Sequence, residues 1–105
     1  MITVVIKEPG KEAYSKKIMD ELGEYHLIIG GTLESVSFDK NQILLCDDEG
    51  KLKDLEPNLI VPGDIIVGNV IVVGTAGEEF RSLTSEEVNK AIKQLNDYSI
   101  CGEKV

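Results

Sequence analysis

Apolar residues in this chain fall in short runs separated by glycine, proline and acidic turns, a pattern that predicts several strands and few helices. Ile2 to Lys7 is apolar on both faces and predicts an interior strand, stopped by Pro9-Gly10. Lys11 to Leu22 sets Tyr14, Ile18 and Leu22 on one stripe, joined by Met19, with Glu12, Lys16, Lys17 and Asp20 turned away. That spacing predicts a helix over 11–22, ended by Gly23 as a left-handed cap. Tyr25 to Ile29 leads into Gly30-Gly31, a pair that tolerates unusual backbone angles and close approach of another group. From Thr32 to Phe38 the chain alternates. Glu34, Val36 and Phe38 share one face and Ser35 and Ser37 the other, as in a strand with one packed side.

Asp39 to Gln42 supplies turn chemistry before a second strand, Ile43 to Asp47, and Asp48 to Lys51 turns again into the short Leu52 to Leu55. Glu56 to Gly63, bracketed by prolines, predicts a loop. Asp64 to Gly74 is dense in Ile and Val and predicts a central strand, with Gly68 as a bulge or a close backbone crossing. Thr84-Ser85-Glu86-Glu87 is a capping box, and Val88, Ala91, Ile92 and Leu95 form the apolar stripe of the helix it opens. The expected fold is α+β, a mostly antiparallel sheet with one helix after the first strand and one C-terminal helix. No repeat or linker divides the 105 residues, so a single compact domain over 1–105 is expected.

Composition narrows the chemistry. The chain has 19 Asp+Glu against 11 Lys+Arg and a formal charge of −8, which disfavours general nucleic-acid binding because phosphate backbones are repelled. Two cysteines are too few for a disulfide scaffold. Cys46 sits in an apolar run and is expected to be a buried, inert thiol, whereas Cys101 lies in a polar tail and is expected to be exposed. His26 is the only histidine, next to Tyr25 and an apolar run, so a Ser-His-Asp set or a zinc centre has little to draw on. Asp47-Asp48-Glu49-Gly50 lacks the spacing of a calcium loop and reads as an acidic turn. No metal, no cofactor and no enzymatic activity are expected. No run approaches a membrane span, and the first residues lack the features of a signal peptide, so the expected location is the cytoplasm.

Two local features are candidates for binding. Pro9-Gly10-Lys11, at the start of the expected first helix, would offer free amides, a helix dipole and a lysine to an anion, although Glu8 and Glu12 oppose it. Gly30-Gly31 with Glu34 would form either a pocket wall bearing a carboxylate or a β-bulge beside a solvent-facing acid. Gly74-Thr75-Ala76-Gly77 lacks the spacing of a phosphate loop and is expected to be a plain connection.

Taken in order, the opening strand with Pro9-Gly10-Lys11, then Ile29 to Glu34, Asp48 to Leu52, Pro57-Asn58 and Asp64 to Gly68 resemble the family called domain of unknown function thirty-eight forty-six (DUF3846). The resemblance covers about 2–97 and leaves 98–105 as a polar tail. The chain departs from the family pattern at Asp48, where Asn is usual, and at Leu59, where a basic residue usually follows Asn58. The family carries no agreed activity. The resemblance implies the company of phages, plasmids and conjugative elements, whose small non-catalytic proteins often counter host defence. On that basis the expectation is a counter-defence binding protein that sequesters a nucleotide-derived immune signal in the pocket of a homo-oligomer. Gly10 and Lys11 would meet phosphate, and Gly30, Gly31, Glu34 and Asn58 would line the pocket. The alternative is an acidic inhibitor that binds a host defence protein or imitates the charge of DNA.

Overall fold

In the computed structural model, residues 1–100 are described. Strand β1 (Ile2–Lys7) turns at Pro9-Gly10 into β2 (Tyr14–Ile18), and α1 (Leu22–Ile29) follows. Next come β3 (Leu33–Asp39), β4 (Gln42–Asp47), β5 (Pro57–Val61), β6 (Asp64–Val67), β7 (Val70–Ala76), β8 (Glu79–Arg81) and α2 (Ser85–Tyr98). The main sheet runs β2-β1-β7-β4-β3, with β8 joined to β7, and every pairing is antiparallel. β5 and β6 form a separate two-stranded hairpin. The fold is therefore α+β with a mostly antiparallel sheet, one short helix near the start and one C-terminal helix.

The sheet buries both of its faces. On one, Val5, Leu44, Cys46, Val70 and Val72 pack under Leu59 and Ile66 of the hairpin and Ala91 and Leu95 of α2. On the other, Val4, Ile6, Leu45, Ile71 and Val73 meet Tyr25 and Ile29 of α1. This explains why Ile2 to Lys7 and Val70 to Val73 are apolar without alternation: each is covered on both sides. Tyr25 also meets Phe80 edge to face, with ring centroids 5.1 Å apart.

Four elements differ from the sequence-based expectation, the first being Gly74-Thr75-Ala76, expected as a plain connection, which ends β7 and pairs with Arg81, Phe80 and Glu79 of β8. The stretch 11–22 holds a strand, because Gly10 adopts φ +76 and folds the chain back so that Tyr14 pairs with Ile6 and Ile18 with Ile2. Tyr14 and Ile18, spaced as on a helix, belong to an edge strand in which Tyr14, Ser15, Lys16 and Lys17 are exposed and Ile18 is buried. The helix begins at Leu22, so Gly23 lies inside it, and the left-handed cap is Gly30 at φ +89, its N–H bonded to the His26 carbonyl. The expected loop over 56–63 contains β5. The expected continuous strand over 64–74 is two strands, divided at Gly68-Asn69, where Gly68 takes φ +77.

The capping box forms as the sequence predicts: Glu87 N–H donates to Thr84 Oγ1 and Thr84 N–H to Glu87 Oε1. Glu87 also accepts a two-pronged bond from Arg81, at 2.8 and 3.0 Å. Arg81 in turn donates to the Thr75 and Asn41 carbonyls, clamping β8 and the β3–β4 turn to the start of α2. The Arg81 guanidinium, followed by the Thr84 N–H, holds the Glu87 carboxyl down to about 2. A carboxylate whose folded value is depressed adds stability above its ordinary value of 4.5, and that contribution fades as pH falls from there toward 2. Glu87→Gln is therefore expected to cost about 1–2 kcal/mol at neutral pH, after allowance for solvent screening. The difference from wild type should shrink steadily below about pH 4. Urea unfolding of both proteins at a series of pH values reads this directly, and a pH-independent difference would contradict it.

Candidate functional site

The bulge in β5 decides where the hairpin sits. Pro57 pairs with Val67 and Leu59 with Ile66, leaving Asn58 as the extra residue between them. Asn58 and Leu59 are consequently both fully buried, although neighbours in a regular strand point to opposite faces. The Asn58 Nδ2 donates to the Lys7 carbonyl at 2.9 Å and to the Gly68 carbonyl at 2.8 Å, and its Oδ1 accepts from Lys7 Nζ at 2.9 Å. The Asn58 backbone carbonyl accepts from Ile100 N–H. This buried amide joins the hairpin to the end of β1 and to the bend before β7.

With Leu59 and Ile66 turned inward, Ile60 and Ile65 face each other across the hairpin on its outer side, 57% and 45% exposed. They line an open depression of about 830 Å³ with Leu55, Val61 and Val67, rimmed by Asp54, Glu56, Asp64 and Lys51. On the other side of β6 lies a smaller cleft of about 240 Å³, between the hairpin and the β3–β4 end of the sheet. Glu34, Cys46 and Asp48 line it together with Lys51, Asp64 and Ile65. Lys51 reaches Asp64 at 2.6 Å and, with the Ile65 N–H, keeps that carboxyl below its ordinary value. β6 is thus flanked by an apolar depression on one side and by an acid-rich cleft on the other.

The residues singled out from the sequence do not gather in one place. Gly10 and Lys11 lie on the β1–β2 turn, where Lys11 Nζ meets Glu8 at 3.2 Å and is largely exposed. Glu8 is held ionised chiefly by the Tyr14 hydroxyl and then by Lys11. Gly30 caps α1. At Gly31 a Cβ would run into Lys53 Nζ and the Asp47 carboxylate, so glycine there makes room for the Lys53–Asp47 ion pair. The Gly31 carbonyl accepts from His26 Nδ1 at 2.8 Å, which fixes the proton on that nitrogen. Asp47 also accepts from Glu49 N–H, and the bond from Lys53, helped by that amide, shifts its carboxyl downward against the opposing effect of burial. Asn58 is enclosed as described. Glu34 alone among the six lines the cleft beside β6.

Ile60, Ile65, Lys51 and Asp64 were not foreseen from the sequence. Val61-Pro62-Gly63-Asp64 between two β-branched runs carries a hairpin signal, and Gly63 indeed takes φ +83. Reading that turn would have put Ile60 and Ile65 opposite each other.

Among the described residues, no three His, Cys, Asp or Glu side chains stand together in a metal-holding group. No described helix is long and apolar enough to cross a membrane. Cys101 lies outside the described residues. A family model described as Domain of unknown function (DUF3846) matches residues 2–96, and the chain belongs to that family. Comparison with curated proteins and with solved structures gave no match.

The thiol in the cleft is Cys46, and burial together with the Glu34 carboxylate 3.9 Å away pushes it up to about 11. At pH 8 only about one thiol in a thousand is then ionised. In a Cys101→Ser background, alkylation of Cys46 in the native protein should run at least ~100-fold slower than in the urea-unfolded chain. Labelling of the folded protein at the unfolded rate would contradict this account.

Proposed function

We propose that the chain is a non-catalytic binding protein whose partner is a basic protein surface, docked on the outer face of the β5–β6 hairpin. The observation that carries this reading is the exposed Ile60–Ile65 pair set among Asp54, Glu56 and Asp64. A contiguous apolar face with a charged border has the anatomy of an interface: the centre supplies burial and the rim supplies orientation. The net charge of −8 favours a partner of opposite sign and a salt-sensitive association, with Asp54 and Glu56 supplying the rim charge because Asp64 is paired with Lys51. An inhibitor of a host defence protein, acting inside the bacterial cell, is the form of this activity that the family resemblance suggests.

Capture of a nucleotide-derived signal has less support. It calls for cations converging on phosphate, and Lys11 is paired with Glu8, while Gly10, Gly30 and Glu34 lie on separate elements. The cleft that holds Glu34 also holds Asp48 and Asp64.

Two probes separate the readings: a short amphipathic Lys/Leu peptide, and a mixture of ATP with a cyclic dinucleotide, each titrated into isotope-labelled protein and followed by amide NMR. The peptide is expected to shift Ile60, Asp64 and Ile65, with affinity dropping several-fold between about 50 and 300 mM salt. Ile60→Asp with Ile65→Asp should abolish that binding without unfolding the protein, since both side chains are exposed. A hairpin untouched by the peptide, or nucleotide-induced shifts at Gly10, Lys11 and Gly30, would overturn the proposal.

A further inference from the structure

We propose that two copies of the chain pair edge to edge through β3, antiparallel about a two-fold axis at Ser35. The main sheet ends in β2 on one side and β3 on the other. β2 carries exposed Lys16 and Lys17 at its middle, a feature that discourages strand addition. β3, Leu33-Glu34-Ser35-Val36-Ser37-Phe38-Asp39, contains neither lysine nor proline.

The direction of the free backbone groups follows from one bond. Asp48 N–H donates to the Thr32 carbonyl at 2.8 Å, and this pair continues the register in which Leu33 faces Asp47. In an antiparallel ladder hydrogen-bonded pairs alternate with non-bonded ones, so Thr32, Glu34 and Val36 address β4. Leu33, Ser35 and Ser37 therefore turn their N–H and C=O groups out from the edge. The Gly31 carbonyl belongs to the same outward set, which is why the His26 ring can reach it.

This edge is complementary to itself. With Ser35 opposite Ser35 of the second copy, Leu33 faces Ser37 and Ser37 faces Leu33. Every outward group of β3 ahead of the bulge at Phe38 is then used, giving about six backbone bonds in three opposed pairs. On the cleft side Glu34 lies against Val36 of the second copy, so no like charges are opposed and the half-exposed Val36 is covered. Sliding the register toward the start of the strand sets Glu34 against Glu34, and sliding it the other way runs into the bulge. A second copy satisfies the two-fold relation; an unrelated strand would not need it. The axis stands perpendicular to the joined sheet, so both β5–β6 hairpins emerge on the same side. The pairing rests on β3 alone, independently of what the hairpin binds.

Light scattering and sedimentation over about 1–300 μM should give a mass near twice the 11.5 kDa of one chain. Ser35→Pro removes an edge N–H and should return a folded protein to single-chain mass. Ser35→Cys in a Cys101→Ser background should cross-link on oxidation, because a hydrogen-bonded pair places its Cα atoms about 5.5 Å apart, within disulfide range. That variant decides the matter alone if Ser35→Pro fails to fold. A monomer at every concentration, a dimer that survives in folded Ser35→Pro, or a dimer in which Ser35→Cys does not cross-link would each overturn the inference.

Discussion

The Asn58 side chain is the contact on which the rest of the architecture depends. A two-stranded hairpin has little stability by itself in water and needs a surface to dock on. Leu59 and Ile66 provide the apolar part of that docking, and the Asn58 amide fixes its position by bonding to Lys7 and Gly68 from inside the fold. A buried amide is costly when unpaired, by about 1–3 kcal/mol per missing bond, so each of these partners must be in place for the hairpin to close. Lys7 is fully buried beside it and donates to the Glu8 carbonyl as well as to Asn58. The end of α2 is drawn into the same junction through the bond from Ile100 N–H to the Asn58 carbonyl and the bridge between Leu59 and Ser99.

The exposure of the Ile60–Ile65 face follows from this burial. The bulge turns two successive residues, Asn58 and Leu59, into the core, and the alternation that resumes after them sends Ile60 outward. Ile65 opposes it from β6 for the same reason, with Ile66 turned in. The polar interior contact and the apolar outer face are thus two results of one register. The acidic residues around that face lie on the hairpin and on the loop before it, so charge and apolar surface are carried by the same short segment.

What was legible in the sequence was local. The Thr84–Glu87 box needs only residues three apart and the stripe from Val88 to Leu95 only helical spacing, and both are present as expected. The alternation of Glu34, Val36 and Phe38 marks β3 as a strand, but not a packed side: Glu34 and Val36 are exposed and only Phe38 is partly covered, because β3 is the edge of the sheet. Tyr14, Ile18 and Leu22 were ambiguous because spacing of four fits a helix stripe and also a strand of mostly exposed residues followed by a helix start. The turn at Gly10 and pairing with β1 made the choice, and neither is visible in a window of that length. Asn58 was misleading in a different way. A polar residue between prolines looks like loop chemistry available to a ligand, and its partner Lys7 is 51 positions away. The family could be seen from the order of motifs, but in this chain those motifs, Pro9-Gly10 and Pro57-Asn58 among them, mark turns and register.

Amide hydrogen exchange gives the most direct test of the junction. If Asn58 locks the hairpin into the cooperative core, the amides of Leu59 and Ile66 and the Asn58 side-chain protons should exchange only through global unfolding, as slowly as Ile71 and Val72 of β7. Hairpin amides that exchange through a local opening, while β7 stays protected, would show that the hairpin is held by something other than this buried contact.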